Sequence, residues 1–301
     1  MIEYVFHFSI PRILFFISEE HSVLVVGGYN GSNMKTAELI PNRCNIPSLP
    51  KGISWQPSLI LTTDNNILLC GGTNNAKQCL ELKENNWVHH SHLKRERRSA
   101  ASIMTSKGIY MFGGLDSPKT WEWLPSGSST WIIGGSIPDP SFERGCGIMI
   151  SSSEILLIGG KYSEQRILKF NVDSEEWTEM DEKIQPGRYY HSCVVFKNYI
   201  IVSGGKSSSS EVLKSTQIIN IDNLSLSYSS DMEQARYSHG LVVAYYNNQP
   251  TVLAIGGKPY TDSVEVWNPE SKTWSLSGDL RLSEAKRNFG ALSVPTRLVC
   301  P

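Results

Sequence analysis

The sequence predicts an all-β protein of six radially stacked antiparallel sheets, with the C-terminal strand closing the ring. Three observations carry this reading. A Gly-Gly pair preceded by a short apolar, β-branched run occurs six times, at Gly27-Gly28, Gly71-Gly72, Gly113-Gly114, Gly159-Gly160, Gly204-Gly205 and Gly256-Gly257. The first glycines are 44, 42, 46, 45 and 52 residues apart, a period that marks one supersecondary unit copied along the chain. Nowhere does the apolar pattern take up the roughly 3.6-residue spacing of an amphipathic helix.

Each glycine pair closes a buried strand, at residues 23–26, 67–70, 109–112, 155–158, 200–203 and 252–255. Glycine there lets the backbone leave the sheet with positive φ and pass close to a neighbour. Some ten residues on comes a second strand, such as "AELI" (37–40), "ILKFN" (167–171) or "SVEVWNP" (263–269). An aromatic in that strand is followed seven residues later by a Trp in two copies, Phe170 with Trp177 and Trp267 with Trp274. Trp87 and Trp131 hold the matching place in two others. A polar loop then leads to an Arg and a strand of small and β-branched residues: Arg98 before "SAASIM", Arg188 before "YYHSCVVF", Arg236 before "YSHGLVVA". Four short strands per unit make one sheet of a ring.

This unit resembles the kelch repeat, and the resemblance covers residues 20–296. It implies a six-bladed β-propeller, read here as one domain over residues 21–301. Copy one lacks the Trp and carries "NRCNIPSLP" in its place; copy five lacks it too, with "LSLSYS" (224–229) as its outer strand. Counted from the first glycine pair, the chain starts inside blade one, whose innermost strand must come from elsewhere. Arg287 followed by "NFGALSV" (288–294) matches the other Arg-plus-strand units, while Arg12 followed by "ILFFIS" (13–18) competes for the slot. The C-terminal segment is favoured, because it keeps the Arg, the small residues and the spacing after Trp274 and leaves no open edge. Residues 1–20 then stand as an N-terminal arm or a degenerate secretory signal whose apolar stretch is split by Pro11.

A net charge of −1 with both signs interspersed leaves no electrostatic footprint for nucleic acid. No apolar run reaches the roughly 18 residues of a membrane span. The six cysteines can all be paired on the blade topology. Cys70 and Cys79 face each other across a hairpin, Cys146 and Cys193 open innermost strands of adjacent blades, and Cys44, opening the expected outer strand of blade one, is within reach of Cys300. With the N-x-[ST] sequons at Asn30 and Asn223, this favours an extracellular glycoprotein over the cytoplasmic alternative.

Catalytic motifs are absent. "SGGKSSSS" fails as a phosphate loop because Ile200 stands where glycine is needed, and no G-x-S-x-G elbow exists. "VHHSH" (88–92) brings three imidazoles together without a Cys or carboxylate at ligand spacing, the pattern of a solvated outer strand. Arg98, Arg144, Arg188, Arg236 and Arg287 all precede innermost strands, so they are expected to ring one mouth of the central channel, with Trp55, Tyr189, Tyr190, His191, Tyr237 and His239 close by. Arg and aromatics carry interface hot spots. The competing reading is that these arginines bridge neighbouring blades by bonding loop carbonyls.

The kelch resemblance implies, first, a non-catalytic module that binds a protein or peptide through this mouth; the five arginines point to a partner of acidic character, and the chain is expected to act as a monomer without a cofactor. A second class is an isomerase- or lyase-like propeller. A third is a copper-radical oxidase of the galactose-oxidase kind, for which Tyr189, Tyr237, His191, His239 and Cys193 would have to assemble.

Overall fold

The computed structural model describes residues 21–300, apart from residues 42, 139 and 248. Among them the chain forms six antiparallel sheets. Blade one pairs β1 (His21–Val26) with β2 (Ala37–Ile40). Blade two is β3 (Ser58–Leu61), β4 (Ile67–Cys70), β5 (Gln78–Lys83) and β6 (Asn86–His92). Blade three is β7 (Ala101–Thr105), β8 (Gly108–Phe112), β9 (Thr120–Pro125) and β10 (Ile132–Ser136). Blade four is β11 (Cys146–Met149), β12 (Glu154–Ile158), β13 (Ile167–Asn171) and β14 (Trp177–Glu179). Blade five is β15 (Ser192–Phe196), β16 (Tyr199–Ser203), β17 (Thr216–Asn220) and β18 (Leu226–Tyr228). Blade six is β19 (Gly240–Tyr246), β20 (Gln249–Ile255), β21 (Ser263–Asn268) and β22 (Thr273–Arg281).

The last strand, β23 (Gly290–Pro295), pairs with β1 in an unbroken register from His21↔Pro295 to Val26↔Gly290. The C-terminus thus supplies the innermost strand of blade one; the competing segment, residues 13–18, lies outside the described residues. The glycine pairs follow the second strand of each blade as read, and the aromatic pattern is seen between the third and fourth strands of blades four and six. Phe170 stands opposite Trp177, and Trp267 opposite Trp274, so each pair of rings packs on one face of its blade. Clusters of these buried side chains fill the spaces between neighbouring blades: Tyr110, Phe112 and Trp121 of blade three meet Phe170 of blade four.

Blade one departs from expectation. It has three strands among the described residues, and Cys44 does not open a fourth. Pro41, Pro47 and Pro50 remove the N–H groups a ladder needs. The segment instead folds over the seam with blade two, where Ile46 and Leu49 join the core around Trp87 and the Pro47 carbonyl accepts from Trp87 Nε1 at 2.9 Å.

The blades are joined by a six-fold backbone relay. The second glycine of each pair donates its N–H to the carbonyl of a residue just ahead of the next innermost strand: Gly28 to Ile53, Gly72 to Arg97, Gly114 to Phe142, Gly160 to Arg188, Gly205 to Arg236 and Gly257 to Lys286, at 2.8–3.0 Å. Such close approach needs glycine. A Cβ on Gly159, at φ +60°, would sit 2.6 Å from the Arg188 carbonyl oxygen. The six cysteines form three disulfides, Cys70–Cys79 within blade two, Cys146–Cys193 between the innermost strands of blades four and five, and Cys44–Cys300 across 256 residues.

Candidate functional site

The expectation of five arginines at one structural position is corrected by the relay. Arg188 and Arg236 are the residues whose carbonyls receive it, and both are fully buried. Each turns its guanidinium forward into the next glycine pair: Arg188 Nη1 donates to Gly204 O at 3.0 Å and Arg236 Nη1 to Gly256 O at 2.8 Å. Arg97, passed over in the sequence for its neighbour Arg98, does the same to Gly113 O at 2.6 Å, and Lys286 holds the place in blade one. These side chains clamp one blade to the next. Burial lowers the Arg188 pKa to about 10, and it also lowers those of Arg97 and Arg236, against the opposing pull of Glu122 and Glu265. Those two carboxylates are themselves fully buried and lie 2.7 Å and 2.6 Å from their arginines.

His191 and His239 are buried as well. Burial, reinforced by Arg188, pushes His191 down to about 3, and burial with Arg236 holds His239 well below the ordinary imidazole range. Both are neutral core groups. With Cys193 bonded to Cys146, the tyrosine, histidine and cysteine set of a copper-radical site is not assembled.

The mouth is built by the next two positions. Ser54, Arg98, Glu143, Tyr189, Tyr237 and Arg287 follow the relay residue, and their carbonyls accept from the residue after each glycine pair, as Tyr189 O does from Lys206 N at 2.8 Å. Then comes a residue with left-handed backbone: Trp55 (φ 63°), Ser99 (51°), Arg144 (58°), Tyr190 (56°), Ser238 (52°) and Asn288 (58°). These six join in a closed circuit of backbone hydrogen bonds, Ser99 N to Trp55 O, Arg144 to Ser99, Tyr190 to Arg144, Ser238 to Tyr190, Asn288 to Ser238, and Gln56 N to Asn288 O, all at 2.6–3.2 Å. A one-residue insertion, Trp55-Gln56, both with positive φ, lets blade two complete it. Left-handed non-glycine residues are costly and persist where the surroundings hold them.

Cations and tyrosines alternate over this circuit. Arg287 lies 5.5 Å from the Tyr29 ring and 5.8 Å from those of Tyr237 and Tyr260. Arg144 stands 4.9 Å from Tyr190, Lys206 5.0 Å from Tyr237, and Lys258 3.7 Å from Tyr260. Tyr189, Tyr190 and Tyr237 follow ring to ring at 5.5 and 5.8 Å. Burial raises the Tyr190 pKa despite Arg144 and Arg287, so its hydroxyl is a neutral donor. Two cations are compensated: Arg98, over Trp55, is held by Asp116 at 2.5 Å, and Arg144 lies 3.6 Å from Glu143. Lys161, Lys206, Lys258 and Arg287 have no carboxylate at ion-pair distance among the described residues.

Sequence reasoning thus placed Trp55, Arg98, Arg144, Tyr189, Tyr237 and Arg287 at the mouth and misplaced Arg188, His191, Arg236 and His239. It missed Tyr29, Lys206, Lys258 and Tyr260. A signal was present, since a Lys follows the glycine pair in three copies, at Lys161, Lys206 and Lys258.

No protein-family model matches the chain. Kelch-like protein 35 of Mus musculus is 24% identical over an alignment of 192 residues, covering 59% of this chain and 32% of that protein. This chain therefore spans about a third of the length of the curated relative it matches. Set beside the closed six-bladed ring, the match makes the chain a six-bladed β-propeller similar to kelch-repeat proteins.

Among solved structures, that of YjhT superposes with a TM-score of 0.68 at 12% identity, over 81% of this propeller and 88% of its own chain. This likeness corrects the expectation of a protein without catalytic activity. A shared fold does not fix function, and the lack of a recognisable motif does not exclude catalysis on a propeller of this architecture. That expectation is withdrawn.

Proposed function

We propose that the propeller docks an acidic peptide or protein segment on the mouth formed by Tyr29, Tyr190, Tyr237, Tyr260, Arg144, Arg287, Lys206 and Lys258. The observation that carries this is the position of Arg287, which lies among three tyrosine rings with no carboxylate partner. The guanidinium is steadied on aromatic faces and by a long hydrogen bond from Nη1 to Tyr237 Oη at 3.4 Å, an orientation in which its remaining N–H groups can take a carboxylate. Lys206 and Lys258 add charge on the same blades, which raises association rate and selects against basic partners. The three disulfides support an extracellular site of action, where Asn30 and Asn223 would be glycan acceptors. A ring closed within one chain suits a monomer.

The test is fluorescence-polarisation titration with a labelled hexaglutamate peptide. Arg287→Ala is expected to weaken binding at least tenfold, with a midpoint of unfolding close to wild type, and a hexaserine peptide should not bind. Equal affinity for both peptides would end the proposal. A second reading, an isomerase- or lyase-like propeller acting on a small polar molecule at this mouth, is supported by the architecture shared with YjhT and by the clustered tyrosine hydroxyls. Screening the same protein for turnover of small anionic substrates, with Tyr190→Phe as the control, tells the two apart.

A further inference from the structure

The two N-x-[ST] sequons, at Asn30 and Asn223, are both exposed, and the ring places them on opposite faces. Strands alternate direction within a blade, so the turn between its third and fourth strands leaves on the side away from the glycine pairs. Asn223 occupies that turn in blade five, between β17 and β18. Asn30 stands two residues after Gly28, on the face of the mouth.

The Asn30 loop is open to an enzyme. Tyr29 and Asn33 form an isolated bridge, which leaves Asn30, Gly31 and Ser32 as an exposed tip. Gly31 has φ +123°, and a Cβ placed there would meet no atom within 4 Å, so the tip stands clear of the surface. Its base is fixed beside the docking cation: Tyr29 N donates to Arg287 O at 2.8 Å, and Arg287 N to Tyr29 O at 3.2 Å. Asn30 Nδ2 donates to Glu284 Oε2 at 2.8 Å, on the loop that leads into Arg287. A side-chain amide carries two hydrogens, so Glu284 takes one and the other is open to substitution.

We propose that Asn30 carries an N-linked glycan which gates the mouth, whereas a glycan at Asn223 leaves it open. The gate rests on the docking reading above; the modification itself does not. The glycan donor is a lipid-pyrophosphate-linked oligosaccharide. The bond from Asn30 Nδ2 to the sugar C1 forms as the bond from C1 to the pyrophosphate oxygen breaks. The displaced amide proton goes to a base of the transferase, and the lipid pyrophosphate leaves with the electron pair. The remaining N–H keeps Glu284 as its acceptor, which holds the first sugar at the rim formed by Tyr29 and Arg287. A glycan is bulky and hydrated, so it obstructs the cation without neutralising it.

The test compares the chain secreted from insect cells behind a cleavable leader with the same chain made without glycans in a bacterial periplasm, where disulfides also persist. Glycopeptide mass spectrometry of the secreted protein should find Asn30 occupied. In fluorescence polarisation with labelled hexaglutamate, the secreted wild type should bind at least tenfold more weakly than the periplasmic one. Ser32→Ala removes the sequon while keeping Asn30, and should restore the periplasmic affinity to the secreted protein. Ser225→Ala, which removes the other sequon, should leave the secreted affinity within threefold of wild type. Periplasmic Ser32→Ala should match periplasmic wild type, which excludes an effect of the substitution itself. An empty Asn30 in the secreted protein, or an occupied Asn30 with secreted and periplasmic proteins binding alike, would overturn the proposal. If the periplasmic protein does not bind hexaglutamate at all, the docking reading fails and takes the gate with it, while occupancy of Asn30 still decides the modification.

Discussion

Arg236 takes part in two contacts that belong to different blades: its carbonyl receives Gly205 N at 2.8 Å, and its guanidinium reaches Gly256 O and Glu265. Replacing it by Ala would strand the Glu265 carboxylate, buried with its side chain at 0% exposure. Breaking a buried ion pair from one side costs about 3–5 kcal/mol. Arg236→Ala should therefore lose about that much in urea unfolding, whereas Arg287→Ala, partly buried at the mouth with no ion-pair partner to strand among the described residues, should lose less than about 1 kcal/mol. The two outcomes reversed would undo the assignment of clamp and mouth. This division was hard to read from the sequence, because clamp and mouth residues are adjacent in Arg97-Arg98 and Lys286-Arg287. An Arg preceding a strand does not reveal which of two successive positions it fills; the relay hydrogen bond does. The buried histidines add a pH term of definite sign. His191, at about 3 in the folded chain, and His239, also lowered, stay neutral where the unfolded imidazoles near 6.5 take up protons. Stability from both is complete above pH 6.5 and is lost as pH falls toward 3, by about 2 kcal/mol for His191 at pH 5. His191→Asn should flatten the slope of unfolding free energy against pH between 7 and 5, and an unaltered slope would show that another group sets it.

At the scale of the element, strands were legible where burial and geometry impose a repeat. The second strand of each blade is apolar because both faces are covered, and its terminal glycines are set by the approach of the next blade's backbone, as at Gly159. The Phe170–Trp177 and Trp267–Trp274 spacings follow from a hairpin that places the two rings opposite each other. Blade one was not legible in the same way. The repeat template assigned a fourth strand to the segment around Cys44, yet its three prolines cannot feed a ladder, and its apolar residues serve the seam with Trp87 instead. A bulge in β6, where His90 is the extra residue, was equally invisible. Nothing in "NWVHHSH" marks where the register slips, and the slip alone makes neighbours of His89 and His92.

The ring is closed where the first and last described strands, β1 and β23, meet in one blade, so its stability depends on a closure that local contacts do not provide. Two devices hold it. β23 pairs with β1 along six residues, and beyond it the Cys44–Cys300 disulfide joins the segment after β2 to the C-terminal tail. In the chain-entropy account a disulfide acts by restricting the unfolded state, and its effect grows with the logarithm of the loop it closes. For a separation of 256 residues this comes to about 5.5 kcal/mol, against about 2.5 kcal/mol for the Cys70–Cys79 pair at a separation of 9. The double change Cys44→Ser with Cys300→Ser should then cost more stability than Cys70→Ser with Cys79→Ser, although the second pair lies deeper in the core. Its folded state should be little altered, because the β1–β23 ladder stays intact and keeps the ring closed. Guanidinium unfolding of the two double variants, with near-ultraviolet circular dichroism to report on native packing, measures both quantities. If the core pair proves the costlier one, packing around Cys70 and Cys79 outweighs loop closure. The clasp would then be secondary to the ladder in holding the ring shut.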